Sequence, residues 1–309
     1  MKAPSTIGLL HATDSSMLQT AVEKVAGQTS HKIEDSLAIE QPLEIQLTYG
    51  TASARQTRSI SVTMRTPGND FDLAAGFLMT EGVIQDANDV QQIAYAGDSL
   101  NEGAESPHSM DALKVGSRHN TVRVDLAANV AVNVGSLQRN FYTTSSCGIC
   151  GKASLLALRT VCPPRAANHF RMDAQLLYRL PERLRSSQGV FDRTGGLHGA
   201  GLFDSEGNLL ALREDVGRHN AVDKLIGSEF LADRTPLRNR LLLLSGRASF
   251  ELLQKALMGG LPMVAAVGAP SSLAVQVAKE FDITLVGFLR EDRFNIYHGH
   301  ERIAGYTSI

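Results

Sequence analysis

From Leu43 onward apolar residues fall on alternate positions, first at Leu43, Ile45 and Leu47 and then at Ile60, Val62 and Met64, with the turn-rich stretch YGTASAR between the two sets. A period of two places one side-chain set on a single face, so these runs predict two half-buried strands joined as a hairpin. The period lengthens in RTPGNDFDLAAGFLMTEGVI, where a Pro67-Gly68-Asn69 turn, an acidic first turn and the spacing of Leu73, Phe77 and Leu78 predict a helix ending near Gly82. A strand-like run follows at Val90 to Tyr95. The polar, aperiodic stretch from Asp98 to Asn120 reads as a surface insert, after which Val122, Val124 and Leu126 resume the alternation. Residues 1–37 are polar, carry only a weak helical pattern around Met17 to Val25, and read as a loosely attached tail. Residues 38–140 are then a small α+β domain.

Residues 141–309 have a different rhythm. ASLLALR predicts a helix stopped by Cys162-Pro163-Pro164, and RMDAQLLYRLPERL predicts another. GLHGAGLFDSEGNLLALRED reads as a hairpin turning at Asp204 to Asn208, and it runs into GRHNAVDKLIGSEFL, whose Ala221, Val222, Leu225 and Ile226 share one helical face. Beyond it, apolar strands at Leu241–Leu244, Met263–Val267 and Thr284–Phe288 alternate with two amphipathic helices. Strand, helix, strand, helix, strand implies a parallel sheet with right-handed crossovers, an α/β fold.

The chain has 309 residues, 43% hydrophobic and 20% charged, enough for one large or two smaller cores. A formal charge of -2 gives no basic field, so nucleic acid is not expected as a partner. The apolar run Ile7–Leu10 is too short for a secretory segment and no later run reaches membrane-spanning length; the expectation is a cytoplasmic protein without a membrane partner.

Ligands of open parallel sheets bind outside the carboxyl ends of the strands, which here are the loops Ser245–Ser249, Gly268–Ser272 and Phe288–Arg293. Two of them lead into helix starts, whose free N–H groups favour phosphate, and Arg247, Arg290 and Arg293 supply forked donors. Ser245, Gly246 and Arg247 are therefore candidate ligand residues. No loop is a Walker A or a Gly-x-Gly-x-x-Gly sequence, and each by itself is explained by tight turning; three together with arginines point to a nucleotide-like ligand. His219 lies at a helix entrance among Asp215, Arg218, Asn220, Asp223 and Lys224, where a solvated helix face and a ligand-facing cluster are equally compatible with the pattern.

SSCGICGK, residues 145–152, holds two of the three cysteines. A helix beginning just after Cys150 puts both sulfurs near its positive end and near Lys152; lowering a thiol by one unit from about 8.5 corresponds to roughly 1.4 kcal/mol and enriches the thiolate severalfold. Such a pair can ligate a metal, cycle as a disulfide or carry sulfur. Zinc would need two further ligands and no second Cys-x-x-Cys is present, although His198 could contribute; the His-x-Glu of a zinc deaminase is missing, so no metal site is expected. A thioredoxin-like dithiol remains a rival. Cys162, between Val161 and two prolines, reads as a packing residue.

Four stretches together resemble the FdhD/NarQ family, sulfurtransferases required for active formate dehydrogenase: the helix RTPGNDFDLAAGFLMTEGVI, SSCGICGKAS, TGGLHGAGLFD with REDVGRHNAVDKLIG, and SGRASFELLQKALMGGLPMVAAVGAPSSLAVQVA running to GFLREDRFNIY. The resemblance spans roughly Leu43 to Tyr297. It implies a cytidine-deaminase-like three-layer α/β C-terminal domain, without deaminase chemistry, behind a smaller N-terminal α+β domain. It also implies that sulfane sulfur passes from a cysteine desulfurase to the molybdenum of a Mo-bis-molybdopterin guanine dinucleotide cofactor before that cofactor enters formate dehydrogenase, with GDP or GMP-like nucleotides as mimics. Cys147 matches the persulfide-bearing position and Cys150 its partner. Phe288, Leu289, Arg290, Glu291, Asp292 and Arg293 match the cofactor-contacting segment, and His198 and His219 join the same candidate edge. A two-headed cofactor suits a homodimer. The rivals are a dithiol oxidoreductase and a cofactor-binding chaperone without sulfur chemistry.

Overall fold

The computed structural model describes residues 16–96, 119–132 and 168–307, together with 155, 158, 159 and 162. Cys147, Cys150, most of the polar insert and the first fifteen residues lie outside the described residues, as does most of the helix expected after the cysteines, of which 155, 158 and 159 are helical.

Residues 17–38 are a strand pair and not a helical tail. β1 (Met17–Ala26) and β2 (Thr29–Ala38) run antiparallel in unbroken register from Met17↔Ala38 to Ala26↔Thr29. β-branched Thr20, Val22, Val25 and Ile33 favour extended backbone, and Gly27 at φ 62° supplies the left-handed turn residue. Most of the hairpin's side chains are exposed, which is why no helical stripe could emerge from them.

The alternating runs form the expected hairpin, β3 (Gln41–Thr51) and β4 (Ala54–Arg65), in a four-stranded sheet with β5 (Val90–Tyr95) and β6 (Thr121–Leu126), order β4-β3-β6-β5. The two ends of β4 differ in phase. Ile45 pairs with Ser61 and Gln46 with Ser59, so Ile60 is the extra residue of a bulge and is buried, whereas Val62 and Met64 are turned outward at 64% and 47% exposure. The expectation that all three share a buried face fails at that bulge. α1 (Asp70–Thr80) lies on the inner face of this sheet, ending at the expected place.

In the second half, β8 (His198–Phe203), β9 (Leu209–Asp215), β10 (Leu241–Leu244), β11 (Met263–Ala266), β12 (Thr284–Gly287) and β13 (Asn295–His298) make one sheet of order β13-β12-β11-β10-β8-β9. The three strands β10, β11 and β12 are parallel, as the sequence rhythm predicts, and the antiparallel edge strand β13 is an addition to it. Helices α2 (Ala174–Ser187), α4 (Arg218–Leu231), α5 (Phe250–Met258) and α6 (Ser272–Glu280) are four of the five expected after residue 141; the short α3 (Gly189–Thr194) and the bridge between β7 (Met172–Asp173) and β14 (Ile303–Ala304) are not legible in the pattern.

Both faces of the large sheet are covered. Leu242, Leu244, Val264 and Ala266 belong to a core shared with α4, α5, α6, α1 and the small sheet, while Leu241, Leu243, Met263 and Val286 pack with Leu177, Leu180 and Leu184 of α2 on the other side. The strands are therefore continuously apolar, the expected signature of a three-layer α/β arrangement. Cys162 packs against the first core. Among the described residues no helix is long and apolar enough to cross a membrane.

The two halves meet through α1 and α4 along a seam that is polar as well as apolar. Lys224 Nζ lies 2.7 Å from Asp215 Oδ2 and donates to Thr66 O at 2.8 Å; Lys255 Nζ lies 2.9 Å from Asp223 and 3.1 Å from Glu81; Thr80 Oγ1 donates to Asp223 at 2.7 Å. Burial raises the Asp223 carboxyl to about 6 despite the Lys255 ammonium beside it. Every charge in this seam has a partner across or within it, the condition for keeping ions out of water.

Candidate functional site

The carboxyl ends of β10, β11 and β12 are tied into one ledge by backbone hydrogen bonds. Gly268 N donates to Gly246 O at 2.8 Å, Phe288 N donates to Gly268 O at 3.1 Å, and Ser271 N donates to Ala248 O at 2.9 Å. A Cβ on Gly268 would sit 2.9 Å from Gly246 O and 3.0 Å from Arg247 N, so the close approach of the first two loops requires glycine there. The ledge thus brings together the three segments that the strand pattern nominates.

Its residues do different things. Arg247, Phe288, Arg290, Glu291, Asp292 and Arg293 are exposed, Ser245 and Gly246 half-buried, and the Leu289 side chain is buried in the second core, where it anchors the loop. Arg290 Nη1 donates to Val267 O at 2.6 Å and to Leu289 O at 2.9 Å, and Arg290 N donates to Arg293 O, so this arginine braces the loop it belongs to. Phe288 holds φ 54° and is 41% exposed. A bulky residue in the left-handed region costs of order 1–3 kcal/mol and persists where the surroundings impose it; an exposed aromatic face at such a position is suited to stacking on a planar base.

The two histidines arrive from separate elements. His198 opens β8 opposite Asp215, beside Gly246: a Cβ on that glycine would lie 3.4 Å from His198 Nδ1. Ser245 locks the strand end, its Oγ accepting from Gly199 N at 2.8 Å and its N donating to Gly199 O at 3.0 Å. Burial first, then the Arg218 charge, hold the His198 imidazole below its ordinary value against the pull of Asp215. His219, in the first turn of α4, reaches the start of α5, with Nε2 3.5 Å from Ser249 Oγ and 3.9 Å from Glu251 Oε2. Burial, with Lys255 and Arg218, lowers it to about 4. Both imidazoles are therefore neutral near pH 7, each able to donate one hydrogen bond and accept another.

Arg218, whose charge acts on both histidines, was legible in the sequence only as a neighbour of His219. Among the described residues no group of three His, Cys, Asp or Glu side chains is arranged to hold a metal.

A model of the FdhD/NarQ family matches residues 38–304. The chain belongs to the FdhD/NarQ family. Within the family, the sulfur carrier protein FdhD of Streptomyces avermitilis is 50% identical over 277 residues, covering 87% of this chain and 89% of that protein. Sulfur carrier protein FdhD of Mycolicibacterium paratuberculosis is 50% identical over 279 residues, covering 90% and 95%. The family fold extends to a crystal structure assigned as a formate dehydrogenase accessory protein from Desulfotalea psychrophila, with TM-score 0.66 over 93% of this chain and 99% of that chain at 22% identity. The SSCGICGK motif and the ledge residues Ser245–Arg247 and Phe288–Arg293 all fall inside the span that the family model matches.

Proposed function

We propose that this protein is a sulfur carrier serving formate dehydrogenase, a sulfurtransferase that forms a persulfide on Cys147. Membership of the FdhD/NarQ family together with the SSCGICGK motif carries the reading. The Cys147 thiolate attacks the outer sulfur of a cysteine desulfurase persulfide; one S–S bond breaks as another forms, the desulfurase thiolate leaves, and no net oxidation occurs. Cys147 then presents that sulfur to the molybdenum of a bis-molybdopterin guanine dinucleotide cofactor, which is the substrate. Cys150 shares the motif and either resolves the product or holds the persulfide.

The cofactor's nucleotide end fits the ledge chemically. Phe288 offers a ring face to guanine, Arg247 and Arg293 are exposed cations, and the neutral His198 and His219 supply hydrogen bonds without a fixed charge. GDP is the practical mimic. Because the cofactor has two such ends, a homodimer presenting two ledges suits it.

The test is intact-mass analysis after incubation with a cysteine desulfurase and cysteine. The expected result is a gain of one sulfur atom, absent in Cys147→Ala. A disulfide with no gained sulfur would establish the dithiol oxidoreductase, and no change in mass alongside retained GDP binding would leave a cofactor chaperone.

A further inference from the structure

We infer that Arg218 is a phosphate-binding residue of the ledge, taking a phosphoryl oxyanion of the nucleotide through its guanidinium. This rests on the reading of the ledge as the cofactor site and adds a residue from outside the three strand-end loops.

Arg218 is the first residue of α4 and is half-buried, and its Nε is shut off from solvent with no hydrogen-bond partner among the described residues. The other arginines set into the body of the protein are engaged: Arg65 forks onto Asp70, Arg213 onto Asp72, Arg302 onto Asp282, and Arg183 donates to Gly207 O. A guanidinium that only held the fold would be paired in the same way, since a sequestered donor without an acceptor is destabilising. Asp215, three residues before Arg218, is committed elsewhere: it is salt-bridged to Lys224 and accepts from Thr66 N, Gly217 N and Asn220 Nδ2. Glu251 is exposed and does not accept from the Arg218 Nε.

The corner around Arg218 holds several donors beside the Glu251 carboxylate. Arg218 adjoins His219 in the first turn of α4, and its charge acts on His198, His219 and Glu251. The starts of α4 and α5 meet here through the His219 contact with Ser249, and neither has a side-chain cap, whereas Asp173 caps α2 and Ser271 caps α6. Two neutral imidazoles, the uncapped start of α4 and one forked cation are donors suited to a tetrahedral oxyanion, while at the start of α5 the Glu251 carboxylate already takes its own N–H. Gly246 keeps the approach beside His198 open.

The test compares wild-type protein with Arg218→Gln and Arg218→Lys in calorimetric titrations with GDP, guanosine and inorganic pyrophosphate, alongside thermal melting. The expected result is that wild type prefers GDP to guanosine, that R218Q loses about tenfold or more of its GDP affinity while keeping that for guanosine, and that R218K recovers part of the loss. Equal GDP binding by wild type, R218Q and R218K would overturn the assignment while leaving the ledge reading intact. Pyrophosphate binding that depends on Arg218, without measurable guanosine binding and with GDP held no more tightly than pyrophosphate, would keep the anion site and remove the guanine reading. If wild type takes up neither GDP nor pyrophosphate, both fall together. Should R218Q melt well below wild type, R218K decides: wild-type GDP affinity in it would mean that the fork is not used.

Discussion

Gly76 of α1 and Gly227 of α4 meet backbone against backbone. A Cβ on Gly76 would lie 1.9 Å from Asp223 O, and one on Gly227 would lie 1.9 Å from Asp72 O. The two halves of the protein can therefore approach along this crossing only because both side chains are absent, and the buried charge seam of Lys224, Asp223 and Lys255 is held on either side of it.

Gly76→Ala and Gly227→Ala should each push the helices apart. Overpacking costs typically about 1–3 kcal/mol, and here the obstructing atoms are backbone, so values at or above the upper end are expected. Denaturant unfolding of each variant measures the effect; wild-type midpoints would show that the helices separate freely.

Lys224→Met should be more damaging, because it leaves Asp215, which has no solvent exposure, without its counter-ion. Removing one partner of a buried pair costs about 3–5 kcal/mol. Adding Asp215→Asn should restore part of that, since the neutral amide no longer needs the ammonium. Equilibrium unfolding of the single and double variants checks both statements.

Phe288→Gly should separate stability from binding. Glycine occupies φ 54° without strain, so the variant should unfold at higher denaturant, by about 1 kcal/mol, while losing the exposed ring and with it GDP affinity. A variant weaker in both would show that the ring packs for the fold.

His219 gives the protein a pH dependence of known sign. Its folded value of about 4 lies below the 6.5 of an unperturbed imidazole, so the unfolded chain binds the extra proton between those values. The contribution is present above pH 6.5 and is lost as the pH falls toward 4. Asp223, raised from 3.8 to about 6, works in the opposite direction over much of the same window. Melting temperatures of wild type and His219→Gln across pH 4–7 should therefore converge toward the acid end, and a constant offset would show that the ring's protonation is not linked to folding.

The β3–β4 hairpin, α1, the parallel strands β10 to β12 and their helices were legible because each is written in a local period of apolar residues that burial then enforces. The sulfur motif and the ledge loops were legible for a similar reason: each is a contiguous run. The β1–β2 hairpin was not, since its exposed side chains leave no stripe to read, and the outward turn of Val62 and Met64 was hidden because a bulge at Ile60 reverses the alternation without altering the composition.

The amino-acid order by itself determined the β3–β4 hairpin, the parallel strands with their helices, the family and the residues at the sheet's carboxyl edge, because neighbours along the chain set all of them. Only the folded molecule decided that Gly76 faces Gly227, that Leu289 points into the core, that Arg290 braces its own loop, and that the Arg218 Nε is sequestered without a hydrogen-bond partner among the described residues. Those facts depend on which distant groups share a place, and the free energy of a buried charge or a missing Cβ is set by that company, which no local pattern encodes.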